Sequence, residues 1–156
     1  KSPISLVLVG EAFKNEQLPE RKTIFQLIEE LGIRDKILTP GFVSSEELVD
    51  FYNLATVYCQ PSFYEGFGLP VLEAMASGCP VVAAKTQALV EIGDGASLFV
   101  DPKDPESIAS GLLTVLKDNK LETKFIKGGL RHTKNFAWDK TAKKTLEVYQ
   151  LVSSVI

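Results

Sequence analysis

Residues 57–84 read V-Y-C-Q-P-S-F-Y-E-G-F-G-L-P-V-L-E-A-M-A-S-G-C-P-V-V-A-A, and the rest of the chain can be placed around them. The stretch grows out of a short β-type run, Thr56 to Cys59, and breaks into a loop at Pro61. The loop carries Glu65 into the turn Gly66-Phe67-Gly68. A helix follows, with Pro70 in its first turn, where no N–H partner is needed, and Gly78 at its C-terminal stop. Pro80 then admits a second β run, Val81 to Ala84. Strand, glycine loop, helix and strand in that order form the unit from which parallel sheets are built.

The chemistry of the unit follows from the residue types. Gly66 and Gly68 have no Cβ to keep a ligand away from the backbone. The helix starting near Leu69 aims its free N–H groups at the same place, together with the positive end of its dipole, roughly half an elementary charge, which suits a phosphate. Glu73, three residues after Pro70, leans back over the first turn toward the loop, and Glu65 stands just before it. Taken singly, Glu73 is what a glutamate complementing a helix dipole looks like, and Glu65 what a solvated loop acid looks like. Together they are two carboxylates flanking an anion-binding nest. That suits a ligand with both phosphate and hydroxyl groups, such as a nucleotide sugar.

Residues 65–73, E-G-F-G-L-P-V-L-E, are similar to the E-x7-E motif of the retaining glycosyltransferases of family 4, the group 1 glycosyltransferases, which have the GT-B fold. Pro61-Ser62 before the motif agrees with this, as do A-M-A-S-G-C-P-V-V at 74–82 and Asp101-Pro102 further on. The resemblance covers essentially the whole chain, as the C-terminal, donor-binding half of such an enzyme. It implies that Glu65 is the catalytic-site carboxylate, contacting hydroxyls of the transferred sugar, and that Glu73 accepts hydrogen bonds from the donor ribose. Gly66, Phe67, Gly68 and Leu69 would act through backbone N–H groups, with the Phe67 ring as a packing element, and Phe42 and Val43 would border the nucleobase. The implied reaction moves a hexosyl group from a nucleoside diphosphate sugar of the UDP, GDP or ADP type to an acceptor with retention of configuration. No tightly bound cofactor and no metal is implied.

The same resemblance places the acceptor, a sugar, lipid or glycan, on an N-terminal domain outside these residues. It also places outside them the arginine and lysine that clamp the donor diphosphate. Lys14 and Lys85 stand at the sheet edge that would face the donor, but not in the clamp's position. Such a fragment by itself is expected to bind donor weakly and to turn over little or nothing. Two other readings fit this fold: a nucleotide-sugar epimerase and a non-catalytic α/β binding module.

Composition agrees with one globular domain over 1–156: 45% of the residues are hydrophobic and 24% charged. The net charge of −3 argues against a nucleic-acid surface, which would be basic. No apolar run approaches the roughly 18 residues of a membrane span, and no signal peptide is visible. The expectation is a cytoplasmic protein whose only route to a membrane is through parts outside this chain. Cys59 and Cys79 sit in apolar positions and read as buried reduced thiols. His132 has no evident orienting neighbour and no catalytic role is assigned to it.

In chain order, Lys1 to Pro3 reads as the end of a connection, and Ile4 to Val9 as a buried parallel strand turning at Gly10. Glu11 to Pro19 is a polar loop. Ile24, Leu27, Ile28 and Leu31 recur at helical spacing up to Gly32. A short strand at Lys36–Thr39 leads to Ser44 and Glu47, the pattern of a capping box, opening a helix that runs to about Leu54. Leu89–Ile92 reads as a helical turn and Ser97–Val100 as a strand. Asp104-Pro105 starts a helix whose inward stripe is Ile108, Leu112, Val115 and Leu116. Lys120 to Thr133 is a helix weakened by Gly128-Gly129. The last helix, Trp138–Val152, starts behind Ala137, a poor cap. Its apolar face is Trp138, Ala142, Leu146 and Tyr149, and the resemblance to GT-B enzymes, whose last helix often packs back on the N-terminal domain, implies that part of this face has its cover there. The fold class expected is α/β: a Rossmann-like three-layer domain with a parallel sheet flanked by helices.

Overall fold

The computed structural model describes residues 4–154, in which strands and helices alternate as far as Val100 and helices alone follow. The reading of Lys1–Pro3 lies outside them. The chain divides into two compact units, Lys1–Leu48 and Val49–Ile156.

In the first unit β1 (Leu6–Val9) pairs in parallel with β2 (Ile37–Gly41) through Leu6↔Ile37 and Val7↔Leu38, with a register shift before Val9↔Gly41. A 3-10 turn at Glu11–Phe13 and helix α1 (Pro19–Glu30) connect them. The expectation of a buried first strand needs correcting, because Leu6 is 49% and Val7 38% exposed. Among the described residues β1 is paired along one edge only. Of the α1 stripe only Ile28 is buried; Leu27 and Leu31 are exposed. Helix α2 (Ser45–Leu54), within which the boundary between the units falls, opens with a reciprocal capping box. The Ser44 N–H donates to Glu47 Oε2 at 2.7 Å, and the Glu47 N–H donates to Ser44 Oγ at 3.2 Å. Those bonds hold the Glu47 carboxyl below its usual range.

The second unit is built on β3 (Tyr58–Gln60), β4 (Val81–Ala84) and β5 (Ser97–Val100), all parallel, in the order β3-β4-β5. The first of these strands begins two residues later than Thr56 and includes Gln60. Every residue of β4 is fully buried, the pattern of a central parallel strand. Helix α3 (Leu69–Ala76) buries Val71, Leu72, Ala74 and Met75. Helix α4 (Gln87–Gly93) replaces the single turn expected at Leu89–Ile92. Helix α5 (Pro105–Lys117) is capped by Asp104, whose carboxylate accepts from the Glu106 N–H. It lies so close to β5 that a Cβ at Gly111 would come within 2.5 Å of Val100 Cγ1.

Val82, Val100, Val115 and Phe125 form the core between this sheet and helices α5 and α6 (Asn119–His132). Helix α6 runs unbroken through Gly128 and Gly129, both buried. A Cβ at Gly129 would meet Met75 Cβ and Cγ at 3.1 Å. The glycine that lowers helix propensity is thus the one that lets α6 approach α3. Helix α7 (Trp138–Ser153) follows an N-cap, Ala137, with no side-chain hydrogen bond, and buries none of its residues. Trp138 is 80% exposed.

Candidate functional site

The site grows from the end of β3. After Gln60 the chain leaves the sheet through an exposed loop, passes Glu65, and turns at Gly68, which caps α3 in the left-handed conformation (φ 102°, ψ 43°). A Cβ at Gly68 would stand 2.6 Å from Leu89 Cδ2 and 2.8 Å from Ile92 Cδ1. Glycine is therefore required twice, by its backbone angles and by the closeness of α4. The Val71 N–H donates back to the Gly68 carbonyl at 3.0 Å. The N–H groups of Phe67, Gly68 and Leu69 have no protein acceptor among the described residues, so three donors stand free at a helix N-terminus. The Phe67 ring packs edge-on against Phe136 with centroids 6.3 Å apart.

Each carboxylate is held by a side chain. Glu73 is exposed on the one open stripe of α3, and its Oε2 accepts from the Tyr52 hydroxyl at 3.3 Å. Glu65 is half-buried, and its Oε1 accepts from Gln60 Nε2 at 2.6 Å. The same amide nitrogen donates to Ser62 Oγ at 2.7 Å, and the Gln60 carbonyl accepts from the Tyr58 hydroxyl. Tyr52 and Tyr58 meet edge to face, centroids 5.4 Å apart. Glu73, Tyr52, Tyr58, Gln60 and Glu65 therefore form one continuous chain of contacts. Burial raises both phenols well above the usual tyrosine range; the Glu73 charge adds to this for Tyr52, and the Tyr52 and Glu65 charges for Tyr58. Both hydroxyls keep their protons and remain donors.

Of the residues expected in the site, Glu65, Gly66, Phe67, Gly68, Leu69 and Glu73 lie on this loop and helix of the second unit. Phe42, 75% exposed, and Val43 follow β2 in the first unit. Tyr52, Tyr58 and Gln60 join the site beyond the residues that the motif names. Tyr58 and Gln60 are two apart on a strand and hence on one face, a signal the sequence carries. Tyr52 reaches Glu73 across 21 positions of chain, and no local pattern announces that.

Other expectations resolve as structure. His132 has a partner after all: its Nε2 lies 2.8 Å from the Ile92 carbonyl, tying α6 to α4, and its ring meets Phe136 at a tilt of 55°. Lys14 lies across Gly41, where a Cβ would strike its Cε. Cys59 and Cys79 are free thiols, the first half-buried and the second buried, and burial pushes the Cys79 thiol up to about 11. Among the described residues no group of three or more His, Cys, Asp or Glu side chains could hold a metal, and no helix is long and apolar enough to cross a membrane.

Known proteins resemble this chain in sequence and in fold. The family described as "Glycosyl transferases group 1" matches residues 1–132. The O-antigen chain mannosyltransferase B of Escherichia coli is 36% identical over 133 residues, covering 85% of this chain and 35% of that protein. The sucrose-phosphate synthase of Thermosynechococcus elongatus superposes with a TM-score of 0.85 at 29% identity, over 97% of this chain and 39% of that one. The Anabaena protein HepE, solved in complex with UDP and glucose, superposes with a TM-score of 0.83 at 23% identity, over 99% and 41%. The chain thus spans little more than a third of the length of the curated relatives it matches. The parallel strands, the flanking helices and these likenesses agree on the α/β fold of the C-terminal half of a GT-B glycosyltransferase. With the family matched over residues 1–132, this chain belongs to the group 1 glycosyltransferases.

Proposed function

We propose that residues 1–156 are a single donor-binding domain of a retaining hexosyltransferase, binding a nucleoside diphosphate sugar. The observation that carries this reading is the turn at Gly68. It presents three free N–H groups at the head of α3 between two carboxylates that are each tied by a hydrogen bond. The N–H groups suit the diphosphate, whose charge grows as the glycosidic bond breaks, so that they bind the transition state more strongly than the ground state. Glu65 would accept from hydroxyls of the sugar and Glu73 from the ribose, with Phe42 and Val43 against the base. The HepE complex with UDP and glucose supports a donor of this class. The acceptor would belong to another part of a longer enzyme, and the domain would work in the cytoplasm without metal.

Titration of the ¹⁵N-labelled chain with UDP, GDP and ADP and their glucose or mannose conjugates tests the reading. Amide shifts concentrated at Gly66–Glu73 and Phe42–Val43 for one nucleotide are expected. Silence from every nucleotide, with the full-length protein equally silent by calorimetry, would overturn it.

A further inference from the structure

Gln60 sits where the sheet ends and the Glu65 loop begins, and its amide is fully engaged. Tyr58 donates to its carbonyl oxygen, and its nitrogen donates to Ser62 Oγ at 2.7 Å and to Glu65 Oε1 at 2.6 Å. An amide has one accepting end and one donating end. A protonated phenol on the accepting end leaves the NH₂ group facing the carboxylate. Because burial keeps the Tyr58 proton in place, the amide is held in one orientation. Around Glu65 little else does this. Phe63 and Tyr64 are 71% and 85% exposed, and a Cβ at Gly66 would meet nothing within 4 Å. The loop is open on both sides of Glu65, and the charge-assisted bond from Gln60 is what places its carboxylate.

We infer that Gln60 is a positioning residue for Glu65, set by Tyr58, and that it governs recognition of the transferred sugar rather than of the nucleotide. The inference rests on the reading of Glu65 as the sugar-facing carboxylate. Tyr52 plays the corresponding part for Glu73 on the nucleotide side, so each carboxylate has its own hydrogen bond and the two are joined through the Tyr52–Tyr58 ring contact.

The test is calorimetry and kinetics on the full-length protein and its Gln60→Met and Gln60→Glu variants. The probes are UDP with UDP-glucose, GDP with GDP-mannose and ADP with ADP-glucose, using the pair that the wild type binds most tightly. Methionine keeps the length of the side chain and removes the donor. It should leave nucleoside diphosphate affinity within about twofold, while turnover of the sugar conjugate, followed as its hydrolysis with water as the acceptor, falls about 10- to 100-fold, the effect of a misplacement of about 1 Å. In Gln60→Glu a second carboxyl faces Glu65. Besides Glu65, the charged and titratable groups that act on Tyr58, its hydrogen-bond partner, are Tyr52, Cys59 and Glu73. At about pH 8 both carboxyls are charged and the loss should match that of methionine. At about pH 5.5 one shared proton restores a donor between them, and turnover relative to wild type should recover several-fold, which the methionine variant cannot do. Equal losses for nucleotide and nucleotide sugar, wild-type turnover in the methionine variant, or a pH-independent loss in the glutamate variant would each overturn the inference. A wild type that binds none of the six probes overturns the donor reading itself, and this inference with it.

Discussion

At the scale of single residues the turn at Gly68 is the least forgiving position. A methyl group there must fit between Leu89 and Ile92, both almost fully buried, on a backbone with φ of 102°. Gly68→Ala is therefore expected to lose about 2–4 kcal/mol of stability in urea denaturation, from overpacking and left-handed strain together. Gly66→Ala, in open space at ordinary φ, should lose less than about 1 kcal/mol. The buried thiol makes a second prediction. Burial pushes the Cys79 thiol up from its ordinary 9.0 to about 11. A raised folded value means its stabilisation is complete below pH 9 and is lost as the pH climbs through 11. The two raised phenols act in the same direction. A chemical-denaturation series is expected to be flat near neutrality and to fall steeply above pH 9; no fall between pH 9 and 11 would contradict the burial described.

At the scale of elements, helix α6 poses a choice that propensity and packing answer differently. Alanine is favoured over glycine in a helix by about 0.8–1 kcal/mol. At Gly128 the new Cβ would find ordinary contacts, 3.5 Å from the Gly95 carbonyl oxygen and farther from Ala96. Gly128→Ala should stabilise by about 0.5–1 kcal/mol. At Gly129 the same atom meets Met75 at 3.1 Å, and Met75 is 1% exposed and cannot swing away. Gly129→Ala should destabilise by about 1 kcal/mol, and thermal denaturation of the two variants should move in opposite directions. The sequence carried a helix here but not this difference between adjacent glycines, because the difference lies in Met75, more than fifty residues away. The same limit explains the other partial readings. Helices with local punctuation, such as Ser44 with Glu47 and Asp104 with Pro105, were legible to within a residue or so. Gln87–Gly93 reads as no more than a turn because it is only seven residues long and Leu89, not a glutamate, stands three residues after Thr86, so no capping box marks its start. In the site, the carboxylates and glycines were legible from spacing, whereas the ties from Tyr52 and Gln60 depend on where β3 ends and on α2 meeting α3.

At the scale of the whole molecule, α7 stands out as amphipathic yet without a buried residue. Its exposed Leu146, Val148, Tyr149, Leu151 and Val152 add to Trp138, more apolar surface than one surface helix usually leaves open. The chain contains a single tryptophan, so its fluorescence reports on that helix alone. The chain by itself is expected to show the red-shifted emission and ready acrylamide quenching of a solvent-exposed indole. A blue-shifted, protected emission at low concentration would mean that α7 is covered.

The pattern of burial along α3 also limits what chain lengths the site can tolerate. Val71, Leu72, Ala74 and Met75 are clamped into the body while Glu73 between them faces out, so the helix has a fixed rotational phase. One residue added between Leu69 and Leu72 would turn everything after it by about 100°, driving either the carboxylate inward or a core side chain into water. One residue added among Pro61–Tyr64 would lengthen the loop and leave α3 in phase, with Glu73 still on Tyr52. The helical part of the spacer between the two glutamates thus acts as a rigid gauge and the loop before Glu65 as its slack, so an inserted residue is tolerated in the loop and not in the helix.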